Sequence, residues 1–338
     1  MRSLAALDLY FLCKEFAKLE GAHVDKVYQP SKEELFLQVH KDGKHGIKIL
    51  LGQAVFLSSE KSVGEQLTYA KFLRKQLGNA RMKVVQPNFE RILEFHFSGK
   101  EERILIVELF SKGNAILCDT SYKIIAPFLK QTWKDRVVQA GAQYVLPPSS
   151  YIDITKVSQV EFKKAMRSSD KESTVKALAI DCGLGGTYAE EMCVRAGIDK
   201  NAKGLSDREY EKLYAAIKEV LALPIAPCIA GVEVFPFRLV SKDCKEVDSF
   251  SAELEKRFST KDVAVSNQQS KLLNAIKAQE NRLQELKQEI EDEKRKGELI
   301  YEHYADVEEL LNSPVAKLKN FPFVKEVDEK ARKVTIEL

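Results

Sequence analysis

Arg81-Met82-Lys83-Val84-Val85-Gln86-Pro87-Asn88-Phe89-Glu90-Arg91-Ile92-Leu93-Glu94-Phe95-His96-Phe97 carries two apolar runs around one turn. Runs of β-branched and aromatic residues, interrupted by a Pro-Asn pair, are the pattern of two strands joined by a turn. Working outward, Arg103–Phe110, Ala115–Asp119 and Ile124–Pro127 extend the same pattern downstream. Upstream, Val24–Gln29, Leu35–Val39, Ile47–Leu51 and Val55–Ser58 are separated by Pro, Asp-Gly and Gly-Gln punctuation, which reads as an antiparallel meander. Two helices flank these strands. Leu4, Leu7, Phe11, Phe16 and Leu19 fall near one helical face over residues 3–20, with Ser3 as N-cap and Gly21 as stop, and a second helix runs from Gly64 to Leu77. Residues 1–146 are therefore a strand-dominated domain, and the chain as a whole is α+β.

At Pro147-Pro148 the pattern changes to helix. Val157–Arg167, Ser173–Asp181, Thr187–Ala196 and Asp207–Leu221 are short amphipathic segments separated by Gly and Ser, so residues 147–223 form a small helical module. A connector over 224–260 holds a strand at Gly231–Val240 and a helix at Ser251–Phe258. From Lys261 to Asn312 the only Gly or Pro is Gly297, and one helix of that length would reach about 75 Å. Its seam, Leu272, Ile276, Gln279, Leu283, Leu286, Ile290, Glu293, Gly297, Ile300, Tyr304, Val307 and Leu311, alternates gaps of four and three, the coiled-coil repeat. Glu293 and Gly297 weaken it, so a kink is expected there. Residues 313–338 open a further segment ending on a strand-like run, Val334–Leu338.

The 338 residues carry a net charge of only +3, but unevenly: residues 1–145 hold 22 Lys and Arg against 16 Asp and Glu, and the remainder 31 against 34. The N-terminal part is the basic end. Cys13, Cys118, Cys182, Cys193, Cys228 and Cys244 form no Cys-x-x-Cys pair and have no His at zinc spacing, so reduced thiols are expected and neither metal nor cofactor. His23, His40, His45, His96 and His303 are scattered, and no nucleophile elbow, P-loop or zinc-protease motif is present, which points away from an enzyme. Met1-Arg2-Ser3 leads directly into the first helix without a signal-peptide core, so a cytoplasmic protein with no membrane partner is expected.

Two stretches could carry function. Cys182-Gly183-Leu184-Gly185-Gly186-Thr187-Tyr188-Ala189 lies between two helices and fits the turn of a helix-hairpin-helix. Gly183, Leu184, Gly185 and Gly186 would turn the backbone tightly and present amides at a helix start to a phosphate. Equally, the glycines could only close a helical corner, since Asp181, Glu190 and Glu191 put acid nearby. The second stretch, Gln66–Arg91, carries Lys71, Arg74, Lys75, Arg81, Lys83 and Arg91 against Glu90 alone. Lys71, Arg74 and Lys75 share a helical face. The turn before Ile92 would put Arg91 at a strand edge, where a guanidinium suits phosphate or base-edge recognition.

Together with Leu19–Gln29, Phe72-Leu73-Arg74-Lys75, Phe89-Glu90-Arg91-Ile92, Glu108–Asn114, Gly183–Glu191 and Lys296-Gly297-Glu298-Leu299-Ile300, the chain resembles the NFACT proteins of ribosome-associated quality control, in the family's order over nearly its whole length. The resemblance implies a first domain similar to formamidopyrimidine-type DNA glycosylases, a helix-hairpin-helix module, and a coiled-coil arm leading into a middle domain. It further implies binding of large ribosomal subunits and their rRNA when stalled with peptidyl-tRNA, and recruitment of tRNA for template-free tailing. The family's Asp-Arg motif falls on Glu90-Arg91, where Glu keeps the charge and lengthens the reach. The family's RNA-binding domain would follow Leu338. Two other readings compete. A DNA-repair glycosylase would need an N-terminal proline amine and a four-cysteine finger, and this chain has Arg2 and no such finger. A coiled-coil adhesion or scaffold protein leaves the basic domain unexplained.

In the family the arm's seam is covered by a returning helix that would begin after Leu338. Burying one Leu or Ile contributes about 1.5–3 kcal/mol, so residues 270–311 are expected to pair with a second copy, weakly because of Glu293 and Gly297. Sedimentation equilibrium should show concentration-dependent association of this chain and none of a version ending near Phe258. Two monomers at high concentration would refute the pairing.

Overall fold

The computed structural model describes residues 3–59, 67–133, 136–149, 151–258, 262–314, 317–318, 321–328 and 333–337. It divides into two compact units, Met1–Ser259 and Thr260–Leu338.

The first unit is built on a nine-stranded antiparallel sheet of two meanders. One comprises β1 (His23–Ser31), β2 (Glu34–His40), β3 (Lys44–Leu50) and β4 (Ala54–Ser58). The other comprises β5 (Arg81–Val85), β6 (Ile92–Ser98), β7 (Arg103–Glu108), β8 (Asn114–Cys118) and β9 (Ile124–Pro127). Helix α2 (Thr68–Leu77) connects them, and they join where His23 of β1 faces Arg81 of β5. The expected start of α2 at Gly64 lies outside the described residues.

Strand β6 buries both faces. Ile92 and Glu94 join a core with Ile104, Ile106, Ile116 and Tyr144, while Leu93, Phe95 and Phe97 point the other way. The first of these faces is covered by the chain after β9, including a hairpin that the sequence does not announce, β10 (Gln131–Thr132) with β11 (Val137–Val138). There Glu108 accepts hydrogen bonds from Tyr144 at 2.9 Å and from the Arg136 guanidinium, which lies 4.9 Å from the Tyr144 ring.

Helix α1 (Ala6–Phe16) is apolar on nearly every side and is buried accordingly. Its Phe16 meets Phe95 of the sheet, and its Phe11 meets Phe237 on the opposite flank. Ser3 does not cap it. The helix begins after Ala5, whose amide donates to the Asp8 carboxylate at 2.7 Å, so the start is closed from within. A 3-10 turn, Ala17–Leu19, and Gly21 at φ +81° end it.

The helical segments are α3 (Gln159–Arg167), α4 (Thr174–Ile180), α5 (Gly185–Ala196) and α6 (Asp207–Ala222). Capping boxes at Ser158 with Glu161 and Ser206 with Glu209 start α3 and α6. Next come the short strands β12 (Cys228–Ala230), β13 (Glu233–Phe235) and β14 (Lys245–Glu246). The strand expected over Gly231–Val240 is only three residues long, because Pro236 has no amide to continue the ladder and Phe237 and Leu239 turn into the core. Helix α7 (Phe250–Phe258) returns to the first meander, where Ser251 donates to Glu15 at 2.7 Å and Ser58 donates to Glu255.

In the second unit, α8 (Asp262–Glu302) and α9 (Tyr304–Asn312) precede a hairpin of β15 (Val324–Asp328) and β16 (Lys333–Ile336). The expected kink at Glu293 and Gly297 does not occur. A lone glycine costs a helix only about 1 kcal/mol, and the break comes at His303, which leaves helical geometry at φ −105°, ψ 29°. Ile276, Leu283, Leu286, Ile290 and Ile300 of the seam are exposed, and the Leu272 side chain lies outside the described residues.

The sheet curls, because the turn after β3 touches the turn after β7. Gly113, at φ +69°, comes so close that a Cβ would lie 1.9 Å from the Gly52 nitrogen. Gly113→Ala therefore combines a left-handed conformation with a backbone collision and should cost about 3 kcal/mol or more. Gly185→Ala, at φ +72° with open space around it, should cost only about 1–2 kcal/mol. Urea unfolding of both variants checks the ordering, and equal losses would refute the contact.

Candidate nucleic-acid interface

Six basic residues leading to the Arg91 turn do not form one patch. On α2, Ala70, Leu73 and Leu77 are buried and Lys71, Arg74 and Lys75 are exposed, as their helical spacing requires. Arg103, opposite Phe97 in the ladder, donates to Gln76 at 3.3 Å, so α2 lies on the sheet face that carries Phe95 and Phe97. On β5 the buried Met82 pairs with Phe97, and Arg81 and Lys83 alternate with it onto the opposite face, across from Ser98 and His96. They line a 350 Å³ cavity with His96 and Thr120, and Lys83 lies 3.4 Å from Glu20. Among the described residues no carboxylate pairs with Lys71, Arg74, Lys75 or Arg81.

The turn before β6 is a 3-10 segment, Pro87–Phe89, with Asn88 at φ +47° and Phe89 at φ +56°. Non-glycine residues adopt this region at a cost, so other bonds must hold them there. Gln86 supplies two of these, donating its side-chain amide at 2.8 Å to the carbonyls of both Ala6 and Glu90. Phe89 fills the helical core. Glu90 is buried and accepts a hydrogen bond from the Tyr151 hydroxyl. Burial, and then the Glu90 carboxylate, hold the Tyr151 phenol well above its usual pKa.

Arg91 is not at a sheet edge. It precedes β6, an interior strand, and its half-buried guanidinium folds back to donate to the Leu109 carbonyl. Burial pulls its pKa below the ordinary value, opposed by the nearby Asp8 carboxylate. Its Nε is buried without a hydrogen-bond partner.

The glycine turn meets this corner. A Cβ on Gly183 would lie 2.7 Å from the Tyr151 ring, so only glycine admits that tyrosine, whose hydroxyl reaches Glu90. Leu184 is buried as well, whereas Gly185 and Gly186 face open space. Helix α5 begins at Gly185, two residues before the expected Thr187, and Tyr188 in its first turns donates to Asp8. Neighbouring acids are occupied: Glu190 accepts from Lys200 at 2.8 Å, Asp181 from Ser169, and Glu191 from the amides of Val240 and Ser241 at 2.9 Å and from Arg195 at 2.6 Å. Sequence reasoning missed Asp8, Tyr151 and the role of Tyr188. The only signal for the first was a carboxylate in the apolar first turns of α1.

Among the described residues no group of His, Cys, Asp and Glu could hold a metal, and no helix is long and apolar enough to cross a membrane.

Glu191 gives a pH test. Burial would raise its pKa, but the Ser241, Val240 and Arg195 hydrogen bonds prevail and hold it below the usual range. A depressed folded value means its contribution is complete above the unfolded pKa near ~4.3 and is lost as pH falls through the folded one. Glu191→Gln should cost about 1.5–3 kcal/mol at neutral pH, with the gap to wild type closing below about pH 4. A gap independent of pH in urea titrations would show that the charge is not what stabilises this contact.

A family model described as NFACT N-terminal and middle domains matches residues 6–338. An archaeal Rqc2 homolog, aRqcH, of Methanocaldococcus jannaschii is 29% identical over 91% of this chain and 51% of its own length. The Rqc2 homolog RqcH of Bacillus subtilis is 26% identical over 64% of this chain and 41% of its own. The chain thus spans about half or less of these curated relatives. The N-terminal structure of the fibronectin/fibrinogen-binding protein from Streptococcus suis aligns with TM-score 0.65 at 22% identity, over 76% of this chain and 99% of that one. A fibrinogen-binding protein from Staphylococcus aureus aligns with TM-score 0.64 at 18% identity, over 76% and 99%. At such identities the likeness is one of fold, the large antiparallel sheet with its helices.

Proposed function

Since the chain belongs to the NFACT family, we propose that it serves ribosome-associated quality control, without catalytic residues of its own, by binding large ribosomal subunits stalled with peptidyl-tRNA and recruiting tRNA for template-free tailing of the nascent chain. The observation that carries this reading is the convergence of Glu90-Arg91 with the glycine turn through Tyr151 and Asp8. In this reading α4, the turn and α5 are a helix-hairpin-helix whose open amides at Gly185 and Gly186 hold a phosphate. Helix α8 is the coiled-coil arm, its exposed seam awaiting a partner helix, and the protein works in the cytoplasm. Lys71, Arg74 and Lys75 on the exposed side of α2 supply a second, electrostatic contact.

Binding of tRNA over a salt series tests both contacts. Lys71→Glu/Arg74→Glu should weaken binding and lower the salt slope by about one unit per lost phosphate; an unchanged affinity and slope rules that surface out. Burial of Arg91 makes Arg91→Ala a poor probe, because losing its bond to Leu109 should itself cost about 1–3 kcal/mol. Arg91→Lys keeps the charge and stem but not the planar fork, and should lower tRNA affinity more than it lowers melting temperature. Normal tRNA binding by this variant, with full cosedimentation of the intact protein with stalled large subunits, would make Arg91 structural.

A further inference from the structure

Where α3, α4 and α6 meet, Arg167, Lys171, Lys203, Ser169, Ser173 and Tyr210 surround a cavity of 120 Å³. No carboxylate is among its lining residues. The cations there are only loosely held. Arg167 pairs with Asp207, and Lys171 with Asp170, acids that are themselves 58% and 83% exposed. Exposed pairs of this kind contribute little and can be redirected. Lys203 makes no ion pair within 4 Å among the described residues, although Asp170 and Glu172 lie near enough to feel its charge.

Tyr210 adds an independent sign. The residue is only 5% exposed and its ring lies under the Arg167 guanidinium, yet its hydroxyl makes no hydrogen bond among the described residues. It is not one of the buried polar atoms left without a partner, so it is open to whatever enters the cavity that Tyr210 lines. The Ser173 hydroxyl is likewise not spent on capping α4, while Ser169 is committed to Asp181. Arg167, Lys171 and Lys203 all line the cavity, while the acids that meet them are exposed and are not part of its lining, so an entering anion would compete with those acids for the same cations. The space is large enough for a tetrahedral oxyanion.

We propose that this cavity is a phosphate site that holds a backbone phosphodiester of the RNA bound by this chain. The assignment rests on the RNA-binding reading above and adds a contact to it. RNA is favoured over a phosphorylated peptide because helices form the walls and offer no strand edge for a peptide backbone to pair with. In addition, the open amides of Gly185 and Gly186 lie at the other end of α4, whose seven residues span about 10 Å, so one RNA backbone can reach both.

Inorganic phosphate titrated into the labelled protein reads the cavity without RNA. The amide resonances of Lys171, Ser173 and Lys203 should shift saturably in wild type and not in Lys171→Ala/Lys203→Ala, and Tyr210→Phe should weaken the response several-fold. With tRNA, the double variant should lose roughly tenfold in affinity and about one unit of salt slope at an unchanged melting temperature. No phosphate response in wild type, or a double variant that binds tRNA with wild-type affinity and slope, overturns the proposal. A phosphoserine peptide that displaces phosphate while tRNA does not would reassign the cavity and overturn the RNA assignment. Wild-type protein that answers phosphate but binds no tRNA would sink the functional reading and leave the anion site standing.

Discussion

A carboxylate in the apolar first turns of a buried helix must find partners or be expelled, and the partners that Asp8 finds help determine how this chain is assembled. Asp8 is fully buried, accepts the Ala5 amide at the start of its own helix, and takes a hydrogen bond from Tyr188 of α5. An uncompensated buried charge costs several kcal/mol. The sheet and the helical segments are tied together through α1, which packs on both, and Asp8 shares that task with Tyr10 and Lys14, whose side chains donate to the Leu221 carbonyl. The Arg91 guanidinium feels the same carboxylate from the sheet side. Three segments far apart in sequence thus share a single electrostatic centre.

The rest of the corner follows from that docking. With α1 against α5, Tyr151 is held between Gly183 and Glu90, and only the absence of a Cβ at Gly183 leaves room for its ring. The turn before β6 then keeps two non-glycine residues at positive φ, each costing on the order of 1–3 kcal/mol. Burial of Phe89 and the two Gln86 hydrogen bonds offset that strain. Backbone strain maintained by surrounding contacts is a mark of a site whose geometry matters. Here it sets Glu90 against the Tyr151 hydroxyl, whose ring packs on Gly183.

Period and punctuation were legible in the residues. The strands of both meanders and the four helical segments lie within a few residues of where alternation, caps and glycines put them, because those signals are local. What the sequence hides depends on contacts between distant segments. Asp8 overrides Ser3 as the start of α1 through a bond inside the helix. Arg91 reads as an exposed edge residue, since nothing local reveals that β6 is interior and that Leu109 offers a carbonyl. The β10 and β11 hairpin is too short to carry a periodicity. Glu191, read as acid beside a phosphate site, is instead turned inward by amides fifty residues away.

The distribution of positive charge carries the last step. Alternation along β5 sends Arg81 and Lys83 to one face of the sheet while α2 holds Lys71, Arg74 and Lys75 on the other, so a run that is continuous in sequence becomes two separate sites in space. A net charge of +3 spread in this way creates no strong field. On the function proposed above, recognition of a large, structured polyanion would come from several weak contacts placed far enough apart to be met only by a partner of the right shape. Each contact alone is easily screened by salt. Linked through one rigid unit they act at a high effective concentration, and the affinity of the set exceeds that of any member. Rigidity is what makes such a set selective, and the buried Asp8 bond between α1 and α5 is one of the contacts that hold these segments together.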